Sequence, residues 1–224
     1  MAPQALPRGD RAVRFALAGL LLFLAAQAVL HFAFWGDNPR HISSYVYWGP
    51  WAEALWNVGV FGLSGGLLAL AVAVRLRLPA SQNGNLAVVY LAGAAITVAA
   101  LAVFPTDKTH LPSTPSGYLH DAAALTSVVC LCAAMLLLVE CGRVDSRWQA
   151  IAGSSTTIPI VATVFSFGWA IMDVTPFEQT SEFLQRVLAA YLIGWFVLVA
   201  WRLRAQHLPA EDAPAADAVN QPAR

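Results

Sequence analysis

Residues 86–104 read LAVVYLAGAAITVAALAVF, nineteen consecutive positions with no charge and no proline. Coiled as an α-helix rising about 1.5 Å per residue, the stretch is about 28 Å long, close to the thickness of a bilayer's hydrocarbon core. Apolar and polar residues do not alternate along it, so it is not a barrel strand. A helix is then the structure that satisfies its backbone in lipid. Five further runs have the same character, at about 15–34, 51–74, 119–139, 156–172 and 183–201, the run at 156–172 being the shortest and most polar. The sequence therefore predicts an all-α polytopic membrane protein, a bundle of six transmembrane helices over residues 15–204. A short cytoplasmic segment, 1–14, precedes it, and a disordered cytoplasmic tail, 205–224, rich in Ala, Pro and Asp, follows.

Composition agrees. Of 224 residues 58% are hydrophobic and 12% charged, about half the charge of an ordinary soluble domain. The net charge is zero, which gives no reason to expect a nucleic-acid partner. Residues 1–34 have the order of a secretory signal, but the apolar run is too long and its aromatic end a poor cleavage site, so it reads as a retained first helix. None of the three cysteines falls in an outer loop, so no disulfide framework is expected. Cys130 and Cys132 read as core residues, and Cys141, at the inner end of its run, is a candidate for acylation.

Orientation follows from the basic residues. Arg8, Arg11, Arg14, Arg75, Arg77, Arg143, Arg147, Arg202, Arg204 and Arg224 share one side, and only Arg40, Lys108 and Arg186 lie on the other. The positive-inside rule puts the first group, and both termini, in the cytoplasm. The expected location is a bacterial plasma membrane. His31, His41, His110 and His120 then fall at or near the outer face with Asp37, Glu53, Asp107, Asp121, Asp173, Glu178 and Glu182. Trp35, Trp48, Trp51 and Trp56 form an expected aromatic belt there.

Three outer groups could carry chemistry. The first is Phe104-Pro105-Thr106-Asp107, followed after a Pro-rich turn by Leu119-His120-Asp121. Asp107, His120 and His110 have the chemistry of zinc ligands; equally, Asp121 and Asp107 could serve as caps and His120 as an interhelical hydrogen-bond donor. No compact ligand motif chooses between these. The second group is Arg40, His41, Ser43, Ser44 and Tyr45 with Asn57, a polar residue inside the second apolar run. Gln27 and His31, four apart, share a helix face beside it. The third is Asp173, Glu178, Glu182 and Arg186, where Arg186 is a candidate phosphate contact or a partner for Asp107. Gly62, Gly65 and Gly66 offer close helix contact.

Trp56-Asn57 with Gly59 and Gly62, then Phe104-Pro105-Thr106-Asp107, then Gly117-Tyr118-Leu119-His120-Asp121, resemble the bacterial six-helix membrane family catalogued as domain of unknown function 998. The resemblance spans about residues 15–204. It departs at Gln185-Arg186, where the family shows glutamate-arginine; Glu182 lies one turn away. The start of the fourth helix is also similar to a eukaryotic membrane family of autophagy modulators and lipid-remodelling factors. The first resemblance implies six helices and no established activity, the second lipid handling.

The residues lead to two functional expectations. One is a binding protein that holds a lipid headgroup or small polar ligand in an outward-facing cavity, with Asn57, Asp107, His120, Asp121 and Arg186 as ligand contacts. The other is an intramembrane hydrolase in which Asp107, His120 and a third ligand such as His110 hold zinc. Ion-coupled transport is less attractive, since the runs carry almost no charge at mid-depth.

Overall fold

Prolines, glycines and short polar side chains set the helix boundaries. The computed structural model describes residues 8–34, 42–107, 113–173 and 178–206, without the side chains of 172, 173 and 178–183. Along these run α1 (Arg8–Ala33), a short 3-10 helix (Ile42–Tyr47), α2 (Pro50–Arg77), α3 (Gln82–Val103), α4 (Pro115–Val144), α5 (Ser146–Ala152), α6 (Thr157–Asp173) and α7 (Glu178–Ala205). Pro50 and Pro115 occupy first-turn positions, where a missing N–H costs nothing. Ser81 caps α3 by accepting from the Gly84 N–H at 3.0 Å, and Thr114 caps α4 by accepting from the Gly117 N–H at 3.1 Å. Asp121, expected near the cap of the fourth helix, instead sits exposed in its second turn.

Five helices, α1, α2, α3, α4 and the Leu184–Ala205 part of α7, are long and apolar enough to cross a membrane. α6 alone, at 17 residues, falls short, but α5 and α6 pass together as a pair bent by 47°. Among the described residues this makes five candidate spans, or six if the bent pair is one broken span. The separate α5 is a feature the sequence reading did not foresee. It starts where the Asp145 carboxylate accepts from the Arg147 N–H at 2.8 Å, and it ends at Gly153, whose φ of 78° suits a residue without a Cβ. α1 also begins about two turns ahead of its apolar run, at Arg8.

Lipid tails are as apolar as leucine, so helices in a bilayer associate through close packing and interhelical hydrogen bonds. α1 and α2 meet backbone to backbone at Gly19, Gly62 and Gly66: a Cβ on Gly66 would lie 2.9 Å from the Leu20 nitrogen. Gly65, expected to share this role, points outward with nothing within 4 Å of a Cβ. The Ser64 hydroxyl donates to the Ala95 carbonyl at 2.8 Å and joins α2 to α3. Thr97, Thr126, Thr163 and Ser166 return their hydroxyls to carbonyls of their own helices, which makes them tolerable in lipid. Cys141 is 1% exposed, with its sulfur 3.5 Å from the Ser81 hydroxyl; an acyl chain cannot be attached there without opening the α3–α4 contact.

The contacts define two ends. At one, the Arg77 side chain, 9% exposed, pairs with Asp10 and donates to the Leu203 carbonyl, tying α1, α2 and α7. The Arg202 guanidinium donates to the Ile151 carbonyl at 3.1 Å and holds α5. All the basic residues that the sequence reading placed inside, apart from Arg224, which lies beyond the described residues, are at or near this end. The other end carries the 3-10 helix, the α3–α4 connection and the start of α7.

Candidate functional site

Asp107 organises the α3–α4 connection. Its Oδ2 accepts from the N–H groups of Ser113 and Thr114 at 2.6 and 2.9 Å, and its Oδ1 accepts from the Thr114 hydroxyl at 2.7 Å. A Cβ on Gly117 would overlap this carboxylate, so glycine is required for Asp107 to close on the turn. The Ser113 amide, the Thr114 hydroxyl and the Thr114 amide hold the Asp107 carboxyl below its ordinary pKa. One turn into α4, His120 places Nδ1 2.7 Å from the Phe104 carbonyl oxygen. A carbonyl only accepts, so Nδ1 carries the proton and donates. The Ser116 hydroxyl adds a bond to the Pro105 carbonyl at 3.1 Å.

The 3-10 helix is a strap across the same end. Its Ile42 N–H donates to the Gln185 amide oxygen on α7 at 3.2 Å, and its Tyr47 hydroxyl donates to the Thr106 carbonyl. Burial, and then the negative charge of Asp107, raise the Tyr47 pKa, so the phenol keeps the proton it donates. Phe34 at the end of α1 stacks on Trp51 at 5.2 Å and meets Trp48 edge-on at 4.6 Å, clamping the end of the strap that leads into α2. The expected aromatic belt is therefore a clamp at Trp48 and Trp51. Trp56 is 2% exposed and belongs to the core, while Trp35 lies outside the described residues.

Beneath the strap, between α1 and α7, lies a cleft of ≈ 260 Å³ lined by Gln27, His31, Tyr45, Arg186 and apolar neighbours. Both amide atoms of Gln27 are buried here without a hydrogen-bond partner. Buried amides are nearly always bonded, so an orphan pair calls for an explanation. Tyr45 is 1% exposed; burial raises its pKa, the Arg186 charge pulls the other way, and the phenol stays protonated at neutral pH. The cleft thus offers a guanidinium, an amide with both donor and acceptor ends, and an imidazole.

The candidate residues divide accordingly. Arg186 is in the cleft with Gln27 and Tyr45, two residues the sequence reading noticed without naming as ligand contacts; the signal was a glutamine and a histidine one turn apart in an apolar run. Asp107 is occupied in its own loop, and His120 lines a second, interior cavity. Asn57 is half-buried and lines neither space, and Asp121 is exposed. Among the described residues no three His, Cys, Asp or Glu side chains group as they do around a metal ion. His110, Lys108, Arg40, His41 and the side chains of Asp173, Glu178 and Glu182 lie outside the described residues.

Apolar helices of spanning length, joined by close glycine contacts and closed at one end by an aromatic strap, define a polytopic helical membrane protein. Its family model is the one described as protein of unknown function (DUF998), which matches residues 17–202, and the chain belongs to that family. No curated protein and no solved structure matches the chain.

Proposed function

We propose that this protein binds an anionic lipid headgroup, or a small anion of the same chemistry, in the cleft of Gln27, His31, Tyr45 and Arg186. The observation that carries the reading is the Gln27 amide, buried with both ends unbonded in a space beside a guanidinium. A phosphate ester supplies what that amide lacks: charged oxygens to accept from its N–H₂ and from Arg186, and hydroxyls to donate to its oxygen. The cleft opens at the end where helices meet the headgroup layer. With the arginine-rich end in the cytoplasm, all six spans formed and both termini inside, this mouth faces outward from a bacterial plasma membrane. A cysteine placed at Ser113 then reacts with an impermeant maleimide in intact cells; reaction only after permeabilisation would reverse the orientation.

The binding test is titration of the detergent-solubilised full-length protein with dihexanoyl phosphatidylglycerol and, separately, inorganic phosphate. Saturable binding of either, weakened tenfold or more in both Gln27→Leu and Arg186→Gln, is the expected result. Equal binding by the variants would discard the cleft. The other reading, a zinc hydrolase on Asp107 and His120, has less to support it, since both residues are engaged by the α3–α4 turn. Elemental analysis finding zinc in the purified protein, lost in an Asp107→Ala, His120→Ala variant, would reverse that preference.

A further inference from the structure

A second cavity of ≈ 100 Å³ lies deeper in the bundle, walled by α2, α3, α4, α6 and α7 with Phe23 of α1, and roofed by the strap. Its wall is mostly apolar, with His120, Ser127, Gln185, Trp56 and Trp169 as the polar exceptions apart from Ser43 on the strap. Three of these already have work in the fold. His120 donates to the Phe104 carbonyl, the Ser127 hydroxyl donates to the Ala124 carbonyl, and the Gln185 oxygen accepts from the Ile42 N–H. The two indoles differ. Trp56 and Trp169 are 2% and 8% exposed, and both Nε1 atoms are buried with no hydrogen-bond partner. They come from α2 and α6, helices far apart in sequence that share this cavity.

An indole N–H can donate and cannot accept. Two such groups lining one mostly apolar space favour a molecule that is itself apolar and offers acceptors. An anion would leave a charge in a low-dielectric chamber with no fixed counter-charge on the wall. We infer that the cavity binds a neutral, lipid-soluble molecule whose carbonyl oxygens accept from the Trp56 and Trp169 indoles. Two membrane sources share that chemistry, a quinone headgroup and the acyl ester of a neutral glyceride. The space is several times that of one water, which suits a ring or an ester group entering with its chain trailing between helices. The site adjoins the anion cleft across Phe23, Ile42 and Ala189 but is distinct from it, since neither indole lines that cleft.

The test uses the full-length protein in detergent, with a short-chain benzoquinone and a short-chain triacylglycerol (tributanoylglycerol) as separate probes and the unfolding temperature as readout. One probe raises that temperature saturably in the wild type. Trp56→Phe and Trp169→Phe, which keep an aromatic ring and remove the donor, each weaken its binding about five- to tenfold, the worth of one hydrogen bond. The probe that binds identifies the source, quinone or ester. Arg186→Gln leaves this binding unchanged, so failure of the anion cleft and failure of this site are read separately. Binding of neither probe, or binding that the phenylalanine variants retain, overturns the inference.

Discussion

The α1–α2 contact gives a sharp prediction, because two adjacent glycines on one helix should respond oppositely to the same added methyl group. In Gly66→Ala the new Cβ would lie 2.9 Å from the Leu20 nitrogen and 3.1 Å from the Ala16 oxygen and the Gly19 carbonyl carbon. All three are backbone atoms of α1 and none can swing aside. Restoring ordinary contact means moving the helices apart locally by about 0.5 Å, which forfeits roughly a quarter of the dispersion energy of each nearby atom pair. With wells of about 0.1–0.2 kcal/mol over some tens of pairs, the loss is about 1–2 kcal/mol, within the usual range for overpacking. Such a loss lowers the unfolding temperature of a chain this long by about 3–6 °C. Gly65→Ala meets nothing within 4 Å. It gains only helix propensity, up to about 1 kcal/mol in soluble helices, and should unfold at or slightly above the wild-type temperature. Gly19→Ala, whose Cβ would overlap the Gly62 carbonyl oxygen, should be worse than Gly66→Ala. Circular dichroism of the four proteins during heating in one detergent measures all of this. Equal unfolding temperatures for Gly65→Ala and Gly66→Ala would refute the close α1–α2 contact.

Three other outcomes are expected. Asp107 has a folded pKa below its ordinary value of 3.8; a depressed carboxyl stabilises above the unfolded pKa and loses that contribution as pH falls through the folded one. Asp107→Asn should therefore remove part of the acid sensitivity of unfolding below about pH 4, seen by comparing unfolding temperatures from pH 7 down to pH 2, and an unchanged pH profile would count against the turn described. His120→Phe leaves the Phe104 carbonyl without its donor and should destabilise by about 1–3 kcal/mol, whereas His120→Asn, which can donate, should recover part of the loss in the same melt. Cys141, 1% exposed against the half-buried Cys130, should resist a small maleimide in the folded protein and react on unfolding; peptide mass spectrometry of the labelled protein would show the order.

Much of the architecture is legible in the chain because the solvent imposes it. A run such as 86–104 has no choice in lipid but to be a helix, and its length fixes how far it reaches. The arginines at 75, 77, 143, 147, 202 and 204 likewise mark one end without any knowledge of packing. The glycines of α2 announce close contact, yet not which of them makes it: Gly65 and Gly66 differ by 100° around the helix, and only the position of α1 distinguishes them.

The site was harder to read, because it depends on partners distant in sequence. Asp107 and His120 look like ligands in isolation, and the fold shows what occupies them: backbone N–H groups at Ser113 and Thr114 for one, the Phe104 carbonyl for the other. Gln27, Tyr45 and Arg186 belong to three separate elements, and no spacing links them until α7 returns beside α1 under the strap. Trp56 reads as an interfacial anchor by composition, and its burial around the cavity it shares with Trp169 is decided by how the helices pack. Sequence alone determined which segments form long apolar helices, the bent α5–α6 pair apart, and which end carries the positive charge, since each depends on residues interacting with solvent and lipid. Which polar groups are left over for a ligand was decided only by tertiary structure, because a donor is spare or occupied according to neighbours that the chain brings together only when it folds.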